Sequence, residues 1–554
     1  MQWRFLSQTT PQSLEDVTTI LLQNRQISDP ELFFHPPHPQ GLPADLLGFN
    51  PSEVEKAVTL IKAACAEKKD ILIFGDYDAD GICATAVMWE ALKSLGCVAR
   101  PFIPQRDKHG YGMTPRVLEE IFELQKPDMI VSVDTGIVAH AAAAYAREHG
   151  VSLIISDHHQ SEKNEDGSPD YPDADAIIHS TQLCGTTVAW VLARELGSQS
   201  VGTSLDLCGI ATISDQVPLH GANRSFAYYG IPALQKTHRI GLRTLYRLAE
   251  VESTKIDSFT LGFVISPRIN AMGRLAHGMD ALRLLCTTSQ DRAQQLATTL
   301  TNMNVERQDM TKEQFDIAWT QVQEQSEEFI SIVISEQFHE GVIGLLAGRL
   351  VERLSKPALV MTYSGEKVKG SARSIKGVNV TDLLREAREH LLEVGGHPMA
   401  GGFSLTKENI EIFKSTMFQI ARKKITEQQL IPVRVLECSL PLKLASVELC
   451  ALQDKCAPFG MDNPKPEYAF SNLRVTAVQQ LGKEKQHLKL FVEPVGGATE
   501  PIEALFWNKA AKFADLTVGQ IISCAGQLET NTWRENTKLQ IIIRDLVIGA
   551  QEDF

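Results

Sequence analysis

A chain of 554 residues with a formal net charge of −14 lacks the overall positive charge of a broadly basic nucleic-acid-binding protein, so any site for a polyanion must be local. Its ten cysteines include no CxxC pair, which argues against a zinc finger and favours a reduced, cytoplasmic protein. No apolar run approaches the ~18 residues that span a bilayer, and the first residues lack the apolar segment of a signal peptide, so we expect no membrane association.

The first part of the chain predicts a lead-in followed by an α/β domain. Residues 1–45 are rich in proline, and Pro36-Pro37-His38-Pro39 favours an extended loop. From about residue 46 to 285, short apolar runs alternate with helix-like segments. This alternation is typical of a parallel sheet covered by helices.

Three carboxylates at alternate positions follow the first apolar run, residues 71–74. They are Asp76, Asp78 and Asp80, and a helix-like segment begins directly after them. In open α/β sheets, ligands bind where strands end and helices begin. Carboxylates crowded at such a point repel one another unless a cation neutralises them. The motif therefore predicts a divalent-metal site, although an acidic turn would explain this motif if it stood alone.

Two further apolar runs also end in metal-binding residue types. The run 129–133 ends in Asp134, and the run 152–155 leads to Asp157-His158-His159. A parallel sheet places the carboxyl ends of its strands along one edge, so these side chains can converge. Three such strand ends in succession favour the metal site over the acidic turn.

Four polar blocks follow along the chain. They are residues 209–219, which contain Asp215; 267–274, which contain Arg268, Asn270 and Arg274; 370–374, which contain Ser371 and Arg373; and 395–402, which contain Gly396 and His397. Arginine forks match phosphate oxygens, and glycines let a backbone approach a phosphate closely. The two glycine pairs in 395–402 are predicted to flank a helix-sized segment, with a tight turn as the alternative.

The remaining segments predict a linker and two smaller domains. Residues 289–328 are rich in Gln, Glu, Ala, Thr and Met, which predicts one long helix or a helical hairpin. A second α/β unit follows, with strands near 329–334 and 358–361 and a helix over 344–354. After about residue 430, runs at 488–492, 502–507, 521–525 and 539–543 predict a small barrel or sandwich.

These blocks together resemble the DHH phosphoesterase family. Asp157-His158-His159 is the motif that names the family, and its combination with 75–81 and Asp134 is similar to RecJ, a group of single-strand-specific 5′→3′ DNA exonucleases. The resemblance implies a parallel-sheet DHH domain (46–285), a helical linker (286–328), a smaller α/β DHHA1 domain (329–428) and an all-β OB-like domain (429–554). It also implies roles in DNA repair and recombination.

The resemblance implies a role for each candidate site residue. Two Mn²⁺ or Mg²⁺ ions would be held by Asp78, Asp80, Asp134, His158 and Asp215, with Asp134 between them. Asp76 and Asp157 would orient these ligands, although Asp76 could also be a direct ligand, and His159 would face the scissile phosphate. The substrate-binding set would be Arg106, Tyr111, Arg268, Asn270, Arg274, Ser371, Arg373, Gly396 and His397. A monomer that acts on single-stranded DNA, with a single-strand-binding protein and a recombination helicase as partners, is also implied.

Four residues at three sites depart from the family pattern. Thr135 stands where cysteine is expected, His179-Ser180 where Asn-Pro is common, and Glu340 where proline is frequent. In addition, Asp462 occupies a position where we expect glycine. None of these changes removes an expected metal ligand.

Two other functions remain open from the sequence. One is a DHH phosphodiesterase that acts on short oligonucleotides, although such relatives usually lack a C-terminal β-domain. The other is a replication protein that binds single strands without hydrolysing them, although such proteins lose metal ligands. In the OB-like domain, Phe491, Phe506, Trp507 and Trp533 are candidate platforms for stacking bases.

Overall fold

The fold was analysed in a computed structural model of the chain, which describes residues 1–549 apart from Tyr111, Glu327, 497–499 and 534–535. The side chains of Asp107 and Trp533 are also outside the description. The chain divides into two compact units. One contains Pro43–Asp215 and Gly230–Pro432, and the other contains Met1–Leu42, Gln216–Tyr229 and Val433–Phe554. Among the described residues, no helix is long and apolar enough to cross a membrane.

The N-terminal segment is more structured than the sequence predicts. It forms β1 (Gln2–Phe5), α1 (Leu14–Asn24) and α2 (Pro30–Phe34). Helix α1 begins with a capping box, in which the Ser13 side chain and the Asp16 side chain each accept a hydrogen bond from the other residue's backbone N–H. Residues 6–13 and 35–38 keep an irregular course, and a 3₁₀ turn follows at Pro39–Gly41.

A parallel sheet follows. Its domain contains, in chain order, α3 (Pro51–Ala66), β2 (Asp70–Phe74), α4 (Ala79–Ser94), β3 (Val98–Phe102), α5 (Arg106–His109), α6 (Pro115–Gln125), β4 (Met129–Val133), α7 (His140–Glu148), β5 (Ser152–Asp157), the short hairpin β6 (Glu162–Lys163) and β7 (Pro169–Asp170), and β8 (Ala176–His179). The sheet order is β3-β2-β4-β5-β8, and every neighbouring pair is parallel. Strand β4 is buried along its whole length, as expected of a strand with helices on both faces.

The register of this sheet brings the predicted strand ends together. Phe74 of β2 pairs with Ser132 of β4, and Val133 of β4 pairs with Ser156 of β5. The loops that follow β2, β4 and β5 therefore leave the same edge of the sheet, and the expectation drawn from the three acidic strand ends is met.

Helices complete this domain and lead to the next. They are α8 (Gly185–Glu195), α9 (Leu205–Ser214), α10 (Gly221–Gln235), α11 (Ile240–Leu248), α12 (Ser258–Thr260), a π-helical turn (Leu261–Ile265), α13 (Ser266–Leu275), α14 (Gly278–Cys286) and α15 (Gln290–Gln323). Helix α15 is a single helix of 34 residues, about 50 Å long, so the long-helix prediction holds and the hairpin alternative does not. Further 3₁₀ turns lie at Asp45–Leu47, Gln199–Gly202 and Ser253–Lys255.

The second α/β domain has a mixed sheet. Its elements are β9 (Ser331–Ile334), α16 (Ile343–Leu354), β10 (Ala358–Ser364), β11 (Lys367–Arg373), α17 (Val380–Glu386), β12 (Glu393–His397), β13 (Ala400–Thr406), α18 (Ile410–Lys424) and α19 (Glu427–Leu430), with 3₁₀ turns at Arg388–His390 and Lys407–Asn409. The order is β12-β13-β11-β10-β9, and only β9 and β10 run parallel. The prediction of a helix-sized segment between the glycine pairs is wrong. Gly395 and Gly396 pair with Gly402 and Gly401 across a hairpin.

The other unit is built around a closed barrel. It contains β14 (Val433–Leu436), a 3₁₀ turn (Leu442–Leu444), α20 (Val447–Asp454), β15 (Tyr468–Leu481), β16 (His487–Pro494), β17 (Ile502–Phe506), β18 (Ile521–Trp533) and β19 (Asn536–Ile548). Five strands close in the order β15-β16-β17-β19-β18, as the OB-like prediction requires. Strand β1 runs parallel to β14, and Val17, Ile20 and Phe33 pack into the barrel's hydrophobic core. The N-terminal segment is thus part of this unit.

Candidate metal centre and phosphate-binding cluster

The loop between β2 and α4 holds its three aspartates in a tight, buried turn. Asp78 is the N-cap of α4 and accepts a hydrogen bond from the Gly81 N–H at 3.0 Å, while Asp76 accepts one from Tyr77 at 2.8 Å. A side chain at Gly81 would place its Cβ 2.6 Å from the Asp76 carbonyl oxygen, so the turn requires glycine there. Local hydrogen bonding therefore fixes where these carboxylates lie.

One imidazole nitrogen lies at the centre of the carboxylates. The distance from His158 Nε2 to Asp134 Oδ1 is 3.2 Å, and the distances to Asp80 Oδ2 and Asp215 Oδ2 are both 3.8 Å. Ligand atoms of Asp76, Asp78 and Asp134 also lie within 4.8 Å of one another, as do those of Asp134, His158 and His159. All five predicted metal ligands, together with Asp76, are thus brought together, and Asp134 belongs to two of these groups.

Asp134 has the features of a metal ligand. It is 2% exposed, and its Oδ1 accepts no hydrogen bond from any residue that the structure describes. Its φ of 60° is unusual for a residue other than glycine, and a Cβ at Gly185 would lie 2.3 Å from Asp134 Oδ1. Carboxylate oxygens suit Mg²⁺ and Mn²⁺, and an imidazole in the set suits Mn²⁺. The residues present therefore fit a site for these ions.

The cluster is electrostatically unfavourable when no cation is bound. Burial raises the pKa of Asp76 to about 7, with the neighbouring Asp78 adding to the rise. Burial, followed by repulsion from Asp80, raises the pKa of Asp215 to about 9 and that of Asp134 well above its ordinary value. A divalent cation would replace the protons that these carboxyl groups otherwise retain.

This arrangement makes thermal stability depend on metal and pH together. A carboxyl group whose folded pKa is raised favours the fold only while it is protonated, so the metal-free protein should lose stability as pH rises from about 4 towards about 9. At 100 times its dissociation constant, Mn²⁺ should add about 2.7 kcal/mol. Calorimetry in EDTA and in Mn²⁺ should show a larger gain in melting temperature at pH 8 than at pH 5.5.

Two matched variants test whether the gain in melting temperature comes from Mn²⁺ bound at this site. Asp134→Asn replaces, at nearly constant shape, a carboxyl group whose ionisation opposes folding, so it should raise the melting temperature in EDTA and shrink the gain from Mn²⁺. Glu123→Gln, on the exposed face of α6, should change neither. A gain from Mn²⁺ that is equal at both pH values and unchanged in Asp134→Asn would contradict the site.

Asp157 and His159 form a separate pair beside the cluster. Asp157 Oδ1 accepts hydrogen bonds from the His158 and His159 N–H groups and lies 2.8 Å from His159 Nδ1, while Oδ2 accepts one from Ile137. Burial alone would raise the pKa of Asp157, but these bonds, led by that from His159, lower it. Burial opposes the charge of His159, yet its bond to Asp157 raises its pKa to about 9. The bond to Asp157 therefore favours the protonated form of His159.

Asp80 has a second set of contacts that the sequence did not suggest. Its two side-chain oxygens accept hydrogen bonds from the N–H groups of Gly185 and Thr186, each at 2.7 Å, at the start of α8. The Thr186 hydroxyl donates to the Asp80 carbonyl oxygen. Gly185 and Thr186, at the start of α8, thus hold the aspartate loop in place through Asp80. The sequence feature that could have indicated this contact is Gly185-Thr186-Thr187, which follows shortly after β8.

Arginines from both α/β domains lie close to the aspartate loop. Arg106 lies 5.7 Å from the centre of the Tyr77 ring. Arg274 donates to the Gly341 carbonyl, and Arg373 donates to the Ser371 hydroxyl and the Ala372 carbonyl, so both bind neutral partners. Burial, and then repulsion from Arg106 and Arg373 among others, lowers the pKa of Arg274 to about 10. Crowded guanidinium groups bound to neutral partners are suited to bind an anion.

Other predicted substrate residues have different surroundings. The Asn270 side-chain oxygen accepts a hydrogen bond from the Ala79 N–H at 2.7 Å, so Asn270 holds the aspartate loop to α13. Gly396 and His397 lie at the exposed tip of the β12–β13 hairpin, where Gly396 has a φ of 134°. Tyr111 lies outside the described residues.

Lys369, in the basic segment 366–376, pairs with Glu340 at 2.6 Å, so the unexpected Glu340 reduces the positive charge of that segment.

The barrel offers one well-exposed aromatic side chain among the candidates that the structure describes. Trp507 is 45% exposed, whereas Phe506 is 3% exposed and belongs to the barrel core. Phe491 is half-buried beside Lys489, whose ammonium also pairs with Glu503. The side chain of Trp533 and all of Arg534 lie outside the described residues.

Family models match three consecutive parts of the chain. The DHH family N-terminal domain matches residues 70–212, the DHHA1 domain matches 326–423, and the RecJ OB domain matches 436–545. The three matches overlap the predicted segments 46–285, 329–428 and 429–554, respectively. The matched segments lie in the parallel-sheet domain, the mixed-sheet domain and the barrel.

Individual relatives agree with these models. The single-stranded-DNA-specific exonuclease RecJ of Bacillus subtilis is 34% identical over 91% of this chain, which spans 65% of that relative. The protein of the same name from Escherichia coli is 30% identical over 89% of this chain and 90% of its own length. The crystal structure of RecJ from Thermus thermophilus with Mn²⁺ has a TM-score of 0.81 at 26% identity, covering 99% of this chain and 79% of that one.

Proposed function

This chain belongs to the RecJ family of single-stranded-DNA-specific exonucleases, and on that premise we propose that it removes nucleotides from the 5′ end of single-stranded DNA by hydrolysis. The observation that carries the proposal is the convergence of His158 with Asp80, Asp134 and Asp215, next to His159 and an arginine cluster. A structure of RecJ from Thermus thermophilus with Mg²⁺ supports the same choice of ion.

Each acidic residue has a proposed position relative to two ions. Asp78, Asp80, Asp134, His158 and Asp215 would hold Mn²⁺ or Mg²⁺, with Asp134 contacting both. Bound ions of this kind supply an activated water and neutralise charge on the phosphodiester. Asp76 orients the loop through its bond to Tyr77, and Asp157 orients the two histidines through its three bonds.

The cationic side chains act on the phosphate itself. His159 holds its proton on the ring and can donate a hydrogen bond to the phosphate or a proton to the leaving oxygen. Arg106, Arg274 and Arg373 would bind the phosphates of the strand, because their partners in the free protein are neutral and are readily supplemented by an anion. Positively charged groups would thus be concentrated around the strand despite the net charge of −14.

The remaining parts of the chain support the same activity. We assign residues 46–285 to the DHH domain, 286–328 to the linker, 329–428 to the DHHA1 domain and 429–554 to the OB-like domain, with the first 42 residues completing the barrel unit. The barrel would hold single-stranded DNA through Trp507 and the lysines nearby. A single-strand-binding protein, a recombination helicase, a cytoplasmic location and a role in DNA repair are part of this proposal.

Digestion of end-labelled single strands tests the proposal. With a 5′ label, Mn²⁺ should release labelled mononucleotides from the earliest time points, while a 3′-labelled strand should shorten gradually. EDTA should abolish both reactions. Early release of the 3′ label would contradict the polarity, and cleavage of short oligonucleotides alone would favour the phosphodiesterase alternative. Binding without any hydrolysis would favour the non-catalytic alternative.

A further inference from the structure

Two aromatic rings lie exposed on the segment that leads into α13. Phe259 and Phe263 are 64% and 70% exposed, yet their rings stack on each other with centroids 4.8 Å apart and planes inclined by 25°. They stand on α12 and the π-helical turn, which is closed by a bond from the Ser266 N–H to the Leu261 carbonyl. Phenylalanine is rarely exposed to this degree, and π-turns are frequent at functional sites.

Two arginines with incompletely satisfied side chains follow along the chain: Arg268 on α13, directly after these rings, and Arg307 on α15, which is close enough to Arg268 to be repelled by it. One terminal nitrogen of Arg268 donates to the carbonyl of Val264, the residue after Phe263, at 2.6 Å. The Nε atoms of Arg268 and of Arg307, on α15, are buried and form no hydrogen bond with any residue in the described part of the chain. Burial lowers the pKa of Arg307, and repulsion from Arg349 and Arg268 adds to this. Neither side chain forms an ion pair with an acidic residue in the part of the chain that the structure describes.

The same helical segment is attached to the metal centre. A Cβ at Gly262 would lie 3.9 Å from Ile213 Cγ2, and Ile213 precedes Asp215 by two residues. Seven residues beyond Phe263, Asn270 binds the Ala79 N–H in the aspartate loop. Seven residues of helix span about 10 Å. This length of helix separates Phe263 from Asn270, the residue that binds the aspartate loop.

We propose that Phe259 and Phe263 form a stacking platform for one nucleobase of the DNA strand, and that Arg268 and Arg307 bind the phosphate next to that base. This inference rests on the proposed function, because it assumes that a single strand reaches the metal centre. An aromatic face beside unneutralised arginines matches the chemistry of a single-stranded nucleic acid, which offers base and phosphate alternately. A duplex, with its bases already stacked, would leave the platform unused.

Oligonucleotides with one abasic position test the platform. In EDTA, where no turnover occurs, we would measure the affinity of the full chain for fluorescent 5′-phosphorylated strands with the abasic site moved one position at a time. Phe263→Ala should weaken binding of the intact strand by about 5-fold to 150-fold, the range expected for one stacked base. One abasic position should weaken binding by the wild type to a similar extent, and Phe263→Ala should lose that particular penalty.

Matched variants complete the design. Leu124→Ala removes a side chain that is 83% exposed on α6, and it should leave affinity and the abasic profile unchanged. Phe263→Trp should retain the abasic penalty, and Arg307→Gln should reduce the salt dependence of binding by about one counter-ion. If Phe263→Ala and Phe259→Ala both bind all strands as the wild type does, the platform is refuted. Hydrolysis by the wild type in Mn²⁺ is scored separately, so the proposed function can stand when the platform fails.

Discussion

Replacing Asp134 with alanine is expected to abolish hydrolysis, lowering the rate by roughly three orders of magnitude or more, equivalent to about 4 kcal/mol in the barrier. Asp134 lies 3.2 Å from His158 and belongs to two of the three ligand groups, so its loss would impair both proposed ion positions. The 60° φ of Asp134 and the close approach of Gly185 hold this carboxylate in one place, and alanine offers no ligand atom there.

The measurement is the initial rate of nucleotide release from 5′-labelled single strands at saturating Mn²⁺. Glu123→Ala is the matched control, since it removes an exposed carboxylate from α6 and should retain the full rate. Circular dichroism would establish that both variants are folded. A folded Asp134→Ala protein with wild-type activity would overturn the assignment of two ions to this site.

The parallel-sheet site could be predicted because its residues are close in both sequence and register. Each metal-binding segment follows a short apolar strand, and neighbouring parallel strands end at one edge whatever the details of packing. The placement of Asp76, Asp134 and His158 therefore needed only the strand pattern. Asp215 lies at the end of α9 instead, and only the resemblance suggested that it joins the group.

Contacts between distant parts of the chain could not be predicted in this way. The binding of Asp80 by the Gly185 and Thr186 N–H groups depends on where α8 begins in space, and no local pattern fixes that. The N-terminal segment pairs with β14 more than 400 residues away, so its proline content alone suggested a loop. Likewise, the 395–402 glycines occupy facing strands, where glycine is uncommon and the local pattern is weak.

The departures from the family pattern have local explanations where the structure shows their contacts. Asp462 has a φ of 57°, a left-handed conformation that glycine adopts without cost and that aspartate tolerates better than most residues. The family pattern places glycine at this position because the backbone there is left-handed. His179 and Ser180 replace Asn-Pro. The His179 ring binds the His159 carbonyl and so supports the histidine loop, whereas the Ser180 hydroxyl donates to the Leu47 carbonyl.

His159→Gln should lower kcat by about 10²-fold to 10³-fold, because the loss of one charged donor at a developing oxyanion has an effect of this size. Its bond to Asp157 raises the pKa of His159 from 6.5 to about 9, so wild-type activity should decline as pH rises through about 9, where the cation is lost. The variant should lack this decline. Binding of Mn²⁺, measured as the gain in melting temperature, should be retained, since the ligand set built around His158 is intact.

His149→Gln, which changes an exposed histidine at the end of α7, is the control. A variant that loses the Mn²⁺ gain together with activity would make His159 a metal ligand, as its proximity to Asp134 and His158 allows, and would refute the phosphate role.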